Sequence, residues 1–117
     1  MTISEIKELL GAEVLCCEEN INNSVYSACG CDLMSDVLAY VKDQAVLLTG
    51  LVNPQVVRTA VMMDMVCIVF VRSKTPSDEM LRLAEDNGIV IMKTDKRLYE
   101  ACGILYSNNL TGEAQKA

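Results

Sequence analysis

Residues 45–60 read AVLLTGLVNPQVVRTA, residues 67–88 read CIVFVRSKTPSDEMLRLAEDNG, and residues 89–102 read IVIMKTDKRLYEAC. Each stretch runs a short apolar strand into a polar turn that starts a helix. Strand–turn–helix repeated in series predicts a parallel sheet, whose ligand crevice forms outside the carboxyl ends of the strands. The apolar runs from Ala45 to Leu48, Val66 to Val71 and Ile89 to Met92 are continuous rather than alternating, as expected of strands covered on both faces.

The turns carry helix-start signals. Asn53-Pro54 places a capping side chain before a proline at the first helical position, where no hydrogen bond is lost. Val56, Val57, Ala60 and Val61 then face inward, and the helix ends near Met63 to Met65. Thr75-Pro76 repeats the device, with Asp78 completing a weak capping box. Met80, Leu81 and Ala84 face inward, and Asn87-Gly88 closes that helix. Thr94 or Asp95 caps the last helix, in which Leu98, Cys102 and Leu105 share a face.

Working back toward the N-terminus, Thr2 to Leu10 is a predicted helix with Ile3, Ile6, Leu9 and Leu10 at helical spacing, Thr2 or Ser4 as cap and Gly11 as stop. Glu13 to Cys16 and Val25 to Cys29 are short strands whose direction the sequence leaves open. Between them Glu18 to Ser24 is a polar loop with a turn at Asn22-Asn23. Asp32 is expected to cap a helix from Leu33 to about Val41, with Met34, Val37, Leu38 and Val41 on one face, broken by Asp43-Gln44. Beyond Asn108 the chain is polar and expected to fray. Parallel crossovers are right-handed. The reading is a single α/β domain over residues 1–110 with a polar tail at 111–117, built as a three-layer α/β/α sandwich around a mostly parallel sheet.

Composition bounds the function. At 117 residues there is room for one core. About half the residues are hydrophobic (51%) and 22% are charged, the balance of a folded globular chain. Ten Lys and Arg against 16 Asp and Glu give a net charge of −6, a field that repels nucleic acid. No basic cluster longer than Lys96-Arg97 reverses it. No apolar run approaches the roughly 20 residues of a membrane helix, and MTISEIKELLG lacks a basic leader region. A cytosolic protein is expected, with neither nucleic acid nor membrane as partner.

The chain has six cysteines and no histidine. Without histidine, Ser-His-Asp and Cys-His catalysis and the ordinary His/Cys zinc patterns are excluded. Cys67 and Cys102 read as core. Cys29-Gly-Cys31 is the one pair that suggests thiol chemistry, although Asp32 beside it is not the electropositive setting a reactive thiol needs. There is no Walker sequence and no GxGxxG, and the carboxylates show no paired spacing for acid–base work. No catalytic residue, metal or cofactor is expected. Met62, Met63 and Met65 suit core or a subunit contact.

The candidate ligand residues are those at the strand ends: Thr49, Gly50 and Asn53, then Arg72 and Ser73 with Lys74 and Thr75, then Thr94 and Asp95 with Lys93. Cys29, Gly30, Cys31, Asp32 and Ser35 adjoin them from the second strand. Helix N-termini offer free N–H groups and partial positive charge to phosphate or carboxylate, and Thr49-Gly50 permits close backbone approach. The competing account is that these residues only cap helices and shape turns.

The stretch from Ile6 through Cys102 resembles the DRTGG domain. LLGAEVLC, the Asn22-Asn23 loop, SACGCDLMSDVLAYVKDQAVLLTG, NPQVVRTA, CIVFV, LAEDNGIVIMKTD and LYEAC follow that family's order. Similar domains occur in long phosphotransacetylases and CBS-domain pyrophosphatases, and more distantly as the N-terminal domain of HPr kinase/phosphorylase, whose architecture the resemblance implies. Stand-alone short forms of the family also exist, some of them in anaerobic bacteria alongside hydrogenase-type gene sets. The family's name comes from a Gly-Asp-Arg turn and a Thr-Gly-Gly turn. Here the first keeps Gly50 without the Asp-Arg, and the second reads Val71-Arg72-Ser73 without either glycine. Thr94-Asp95 stays closer to the family pattern.

The resemblance implies a non-catalytic regulatory or dimerising module, with a nucleotide or other anionic metabolite as the ligand class for the strand-end turns. Two alternatives stay open: a pure protein–protein interaction subunit of a hydrogenase, redox or kinase system, and a thiol-redox protein using Cys29 and Cys31.

Overall fold

The computed structural model describes residues 1–41 and 44–113. The first helix, α1 (Ile3–Leu10), starts with a reciprocal box: Thr2 Oγ1 accepts from the Glu5 N–H, and the Glu5 carboxylate accepts from the Thr2 N–H. Gly11, at φ 59°, ends it in the left-handed region. The strand β1 (Glu13–Cys16) follows, then a short 3-10 turn at Glu18–Asn20 inside the expected polar loop.

Four strand–helix units come next: β2 (Ser27–Gly30) with α2 (Met34–Tyr40), β3 (Ala45–Thr49) with α3 (Pro54–Met62), β4 (Cys67–Phe70) with α4 (Asp78–Asp86), and β5 (Val90–Lys93) with α5 (Leu98–Ser107). The sheet order is β1-β5-β4-β3-β2. β2 through β5 are mutually parallel, and β1 pairs antiparallel with β5. The two directions left open by the sequence are thus opposite. α2, α3 and α4 lie side by side on one face, and α1 and α5 pair on the other. The three-layer α/β/α fold with a mostly parallel sheet is as expected.

The continuous apolar runs are the sheet's centre. Every residue of β3 and β4 is buried, and Phe70, Leu47, Leu48 and Ile68 are among the largest fully buried side chains. Each such side chain contributes about 1.5–3 kcal/mol when removed from water.

Several local expectations shift. β2 starts two residues later than expected because the Val25 N–H is donated to the Met1 carbonyl (2.7 Å) rather than to the sheet. α2 is shorter than expected and buries only Val37 of its four expected apolar positions. It packs against α3 beside β2, the last strand of the sheet among the described residues, and leaves Leu38 exposed. Asp43, one of the two residues expected to break this helix, lies outside the described residues. Ser77, not Thr75, caps α4, its hydroxyl accepting from the Met80 N–H (3.3 Å). Past Asn108 the chain does not fray at once: Leu110 is buried, and the Thr111 carbonyl accepts from the Ala28 N–H (2.8 Å) along the edge of β2. Residues 114–117 of the expected polar tail lie outside the described residues.

Candidate functional site

β2 and β3 run parallel with Gly30 opposite Leu48. Carrying that register two residues further sets Asp32 beside Gly50, past the carboxyl ends of both strands. There Asp32 Oδ1 accepts from the Thr49 hydroxyl (2.7 Å) and from the Gly50 N–H (2.8 Å). Thr49 is fully buried, so its hydroxyl must find its partners inside the protein. Its oxygen also accepts from the Leu51 N–H (3.1 Å). The Thr49 hydroxyl foremost and then the Gly50 N–H hold the Asp32 carboxyl below its usual range; burial opposes them, and the nearby Arg72 charge adds a smaller lowering effect. Asp32 is therefore a carboxylate seated in the turn. The sequence reading made it the cap of α2. Instead α2 begins after Leu33 with no side-chain cap.

Arg72 reaches the same place from the next turn. Arg72 and Ser73 have φ of 55° and 56°, the left-handed region that costs a residue with a Cβ about 1–2 kcal/mol. The turn is stapled to the loop after β5. The Arg72 N–H is donated to the Lys96 carbonyl and the Ser73 N–H to the Thr94 carbonyl, both at 2.8 Å. The Arg72 guanidinium lies against Gly50, where an added Cβ would sit 2.6 Å from Nη2. Gly50 is thus a glycine for close approach of a side chain.

The remaining candidates divide. Asn53 caps α3, its Oδ1 accepting from the Gln55 N–H (2.9 Å), so capping accounts for it. Thr94 is buried and donates its hydroxyl to the Leu10 carbonyl (2.7 Å), closing the end of α1 instead of capping α5. Asp95 is exposed at the start of that loop. Lys93 Nζ is donated to Thr75 Oγ1 (3.3 Å). Around these turns the charge balance of the chain is inverted: Arg72, Lys74, Lys93, Lys96 and Arg97 are five of its ten basic residues. By contrast, a cleft of about 340 Å³ on the other helical layer is lined by Glu5 and Glu8 with Met1, Ser4, Leu9 and Asn108, a poor setting for an anion.

The thiols are placed differently from the sequence reading in one respect. Cys67 is fully buried, but Cys102 is only half-buried, its sulfur resting against Gly30 where a Cβ would collide with it. Cys29 lies on the opposite face of β2, beside Tyr40 and Val41. Burial pushes the Cys29 thiol up to about 11, with the Cys31, Cys102 and Asp36 charges adding to it. The Cys31 sulfur bonds to the backbone of Leu33 as donor (3.4 Å) and as acceptor (3.3 Å). Among the described residues no group of three or more His, Cys, Asp or Glu side chains comes together to hold a metal. Nor is any described helix long and apolar enough to cross a membrane.

The family model of the DRTGG domain matches residues 5–107. The chain belongs to the DRTGG domain family. Among solved structures it is similar to the CBS and DRTGG domains of the regulatory region of Clostridium perfringens pyrophosphatase, crystallised with the activator diadenosine tetraphosphate. The TM-score is 0.74 at 16% identity, over 89% of this chain and 45% of that one. That likeness shows the fold, and this chain spans less than half the length of the neighbour. No curated protein matches the chain.

Within the DRTGG fold the departures noted in the sequence acquire a geometry. Where the family's second turn has two glycines, Arg72 and Ser73 adopt the backbone conformation that glycine favours. Where the first turn lacks its arginine, Arg72 brings a guanidinium to Gly50 from the neighbouring turn.

Proposed function

We propose that this chain is a non-catalytic regulatory module that binds a nucleotide or other anionic metabolite at the Thr49–Gly50 turn, with Arg72 and Ser73 flanking it. One observation carries the reading: a buried hydroxyl and a backbone N–H converge on a carboxylate oxygen, with a guanidinium alongside. Such donors suit any oxyanion, phosphate included. The DRTGG-containing neighbour, crystallised with a dinucleoside polyphosphate activator, supports the ligand class. Thr94 is committed to Leu10 and serves the fold. A cytosolic setting belongs to the same proposal.

A thermal-shift screen against nucleotides, diadenosine tetraphosphate and phosphorylated metabolites tests it. A ligand at a hundredfold its dissociation constant adds about 2.7 kcal/mol of stability. Silence across the whole set would remove the sensing role.

A second reading, self-association, is favoured by α2. Leu33, Leu38 and Tyr40 are 58%, 41% and 74% exposed. Residues 33–41 hold one charged side chain, Asp36, in a chain of net charge −6. A second copy is the occupant that this near-neutral face suits, since two copies can meet there with few like charges opposed. Light scattering on wild type and Leu38→Asp tests it: a dimer reduced to monomer supports the face, and a wild-type monomer at high concentration refutes it.

A further inference from the structure

The Thr49–Gly50 turn is already occupied, and by part of the chain itself. We propose that Asp32 is the resting occupant of the anion site, and that a ligand phosphate enters by exchanging with its carboxylate while Arg72 supplies the counter-charge. This rests on the anion-binding reading above and adds how the site is held closed.

The donors are fixed: Thr49 is fully buried at the end of a central strand, and Gly50 follows it directly. The occupant is not. Asp32 is exposed, and it sits between the end of β2 and the start of α2. Removing its carboxylate from the turn leaves the Thr49 hydroxyl and the Gly50 N–H facing one oxyanion position, with the Arg72 guanidinium against Gly50 beside it. The released carboxylate has a destination. α2 begins after Leu33 with no side-chain cap, and Asp32 is one residue away from the position that supplies one. A site filled by its own carboxylate binds ligand with an affinity reduced by the fraction of time it is open. The ligand therefore competes with a tethered group and, on binding, alters the start of α2.

The test titrates pyrophosphate and ADP into the ¹⁵N-labelled full chain, as wild type, Asp32→Asn and Asp32→Ala, following the amides of Gly50 and of Met34 to Asp36. Asparagine keeps an acceptor oxygen but loses the charge; alanine loses the occupant. Exchange predicts tightening in the order wild type, Asp32→Asn, Asp32→Ala, by about fivefold or more for alanine, with both amide groups moving in the wild type. Equal gains in the two variants would reduce Asp32 to a nearby repelling charge and overturn the exchange. Wild-type binding that is unchanged or weakened in both variants would overturn it too and leave the anion-binding reading standing. Absence of binding in all three proteins would remove both.

Discussion

Asp32 and Gly50 stand eighteen residues apart in the chain and are joined by a 2.8 Å hydrogen bond from the Gly50 N–H to Asp32 Oδ1. The bond ties the end of an edge strand to the end of a central one. It also turns a predicted ligand turn into a filled one. The neighbouring Thr49 hydroxyl shares the same oxygen, so the two donors act as a unit.

Thr49→Val keeps the shape of a fully buried side chain and deletes its hydroxyl. The Asp32 carboxylate loses a donor and the Leu51 N–H loses an acceptor. Destabilisation of about 1–2 kcal/mol is expected in urea unfolding, the scale of a hydrogen bond to a charged group near the surface. Most of that loss should disappear when Thr49→Val is measured in an Asp32→Ala background. Full additivity of the two substitutions would show that they are independent.

The Asp32 pairing also has a pH signature. Its folded pKa is depressed by the Thr49 hydroxyl and the Gly50 N–H, so the stability it contributes is present above the unfolded value of about 3.9 and is lost as pH falls through the folded value. The melting-temperature gap between wild type and Asp32→Asn should therefore be constant from about pH 7 to 5 and close below about pH 4. A gap that widens in acid contradicts the sign.

The register that makes this pair is a long-range property that no local sequence signal carries. Once β2 and β3 are aligned with Gly30 opposite Leu48, Asp32 falls beside Gly50. The sequence reading instead gave Asp32 to α2, because an Asp before an apolar helix is the usual cap and local rules outrank unknown pairings. The same bias assigned Thr75 and Thr94 as caps when Ser77 and the Leu10 carbonyl decide their surroundings. What was legible was what local chemistry fixes alone. The buried runs of β3 and β4, the Asn53-Pro54 start of α3 and the Gly11 stop of α1 all stand as expected. The antiparallel placement of β1 is a long-range pairing, and its four residues carry no signal for it. Arg72 is a candidate by its place at a strand end, but its contact with Gly50 depends on a left-handed turn that residues with a Cβ disfavour.

Ser73 at φ 56° is a left-handed residue without glycine's freedom. Ser73→Gly should stabilise the protein by about 0.5–1 kcal/mol, the relief of backbone strain less the greater entropy of glycine in the unfolded chain. Arg72→Gly should show the same relief while losing the guanidinium at Gly50. The two variants therefore separate strain from charge: both should melt higher, but only Arg72→Gly should weaken anion binding. A fall in melting temperature for Ser73→Gly would mean that its hydroxyl has a role that the strain offsets.

Gly30 has the opposite character, since its glycine is demanded by a neighbour. A Cβ there would collide with the Cys102 sulfur on α5. Gly30→Ala should cost about 1–3 kcal/mol as an overpacking substitution, and Cys102→Ala in the same chain should recover most of it. Failure of the second change to compensate would place the clash elsewhere in β2.

The half-buried Cys29 offers a test of the thiol-redox alternative. Burial, assisted by the neighbouring thiols and Asp36, pushes its thiol up to about 11. At pH 8 roughly one molecule in a thousand then carries the thiolate at Cys29, against about a quarter for an ordinary thiol near 8.5. Since the thiolate is the nucleophile, labelling of Cys29 by a disulfide reagent should run about two orders of magnitude below that of a free thiol. It should recover fully in denaturant. Peptide mapping of the labelled sites, with Cys29→Ser as the control, assigns the rate. Rapid labelling of folded Cys29 at pH 8 would reopen the redox role for the Cys29-Gly30-Cys31 segment. Slow labelling leaves its glycine, pressed against Cys102, as the residue with a structural reason to be there.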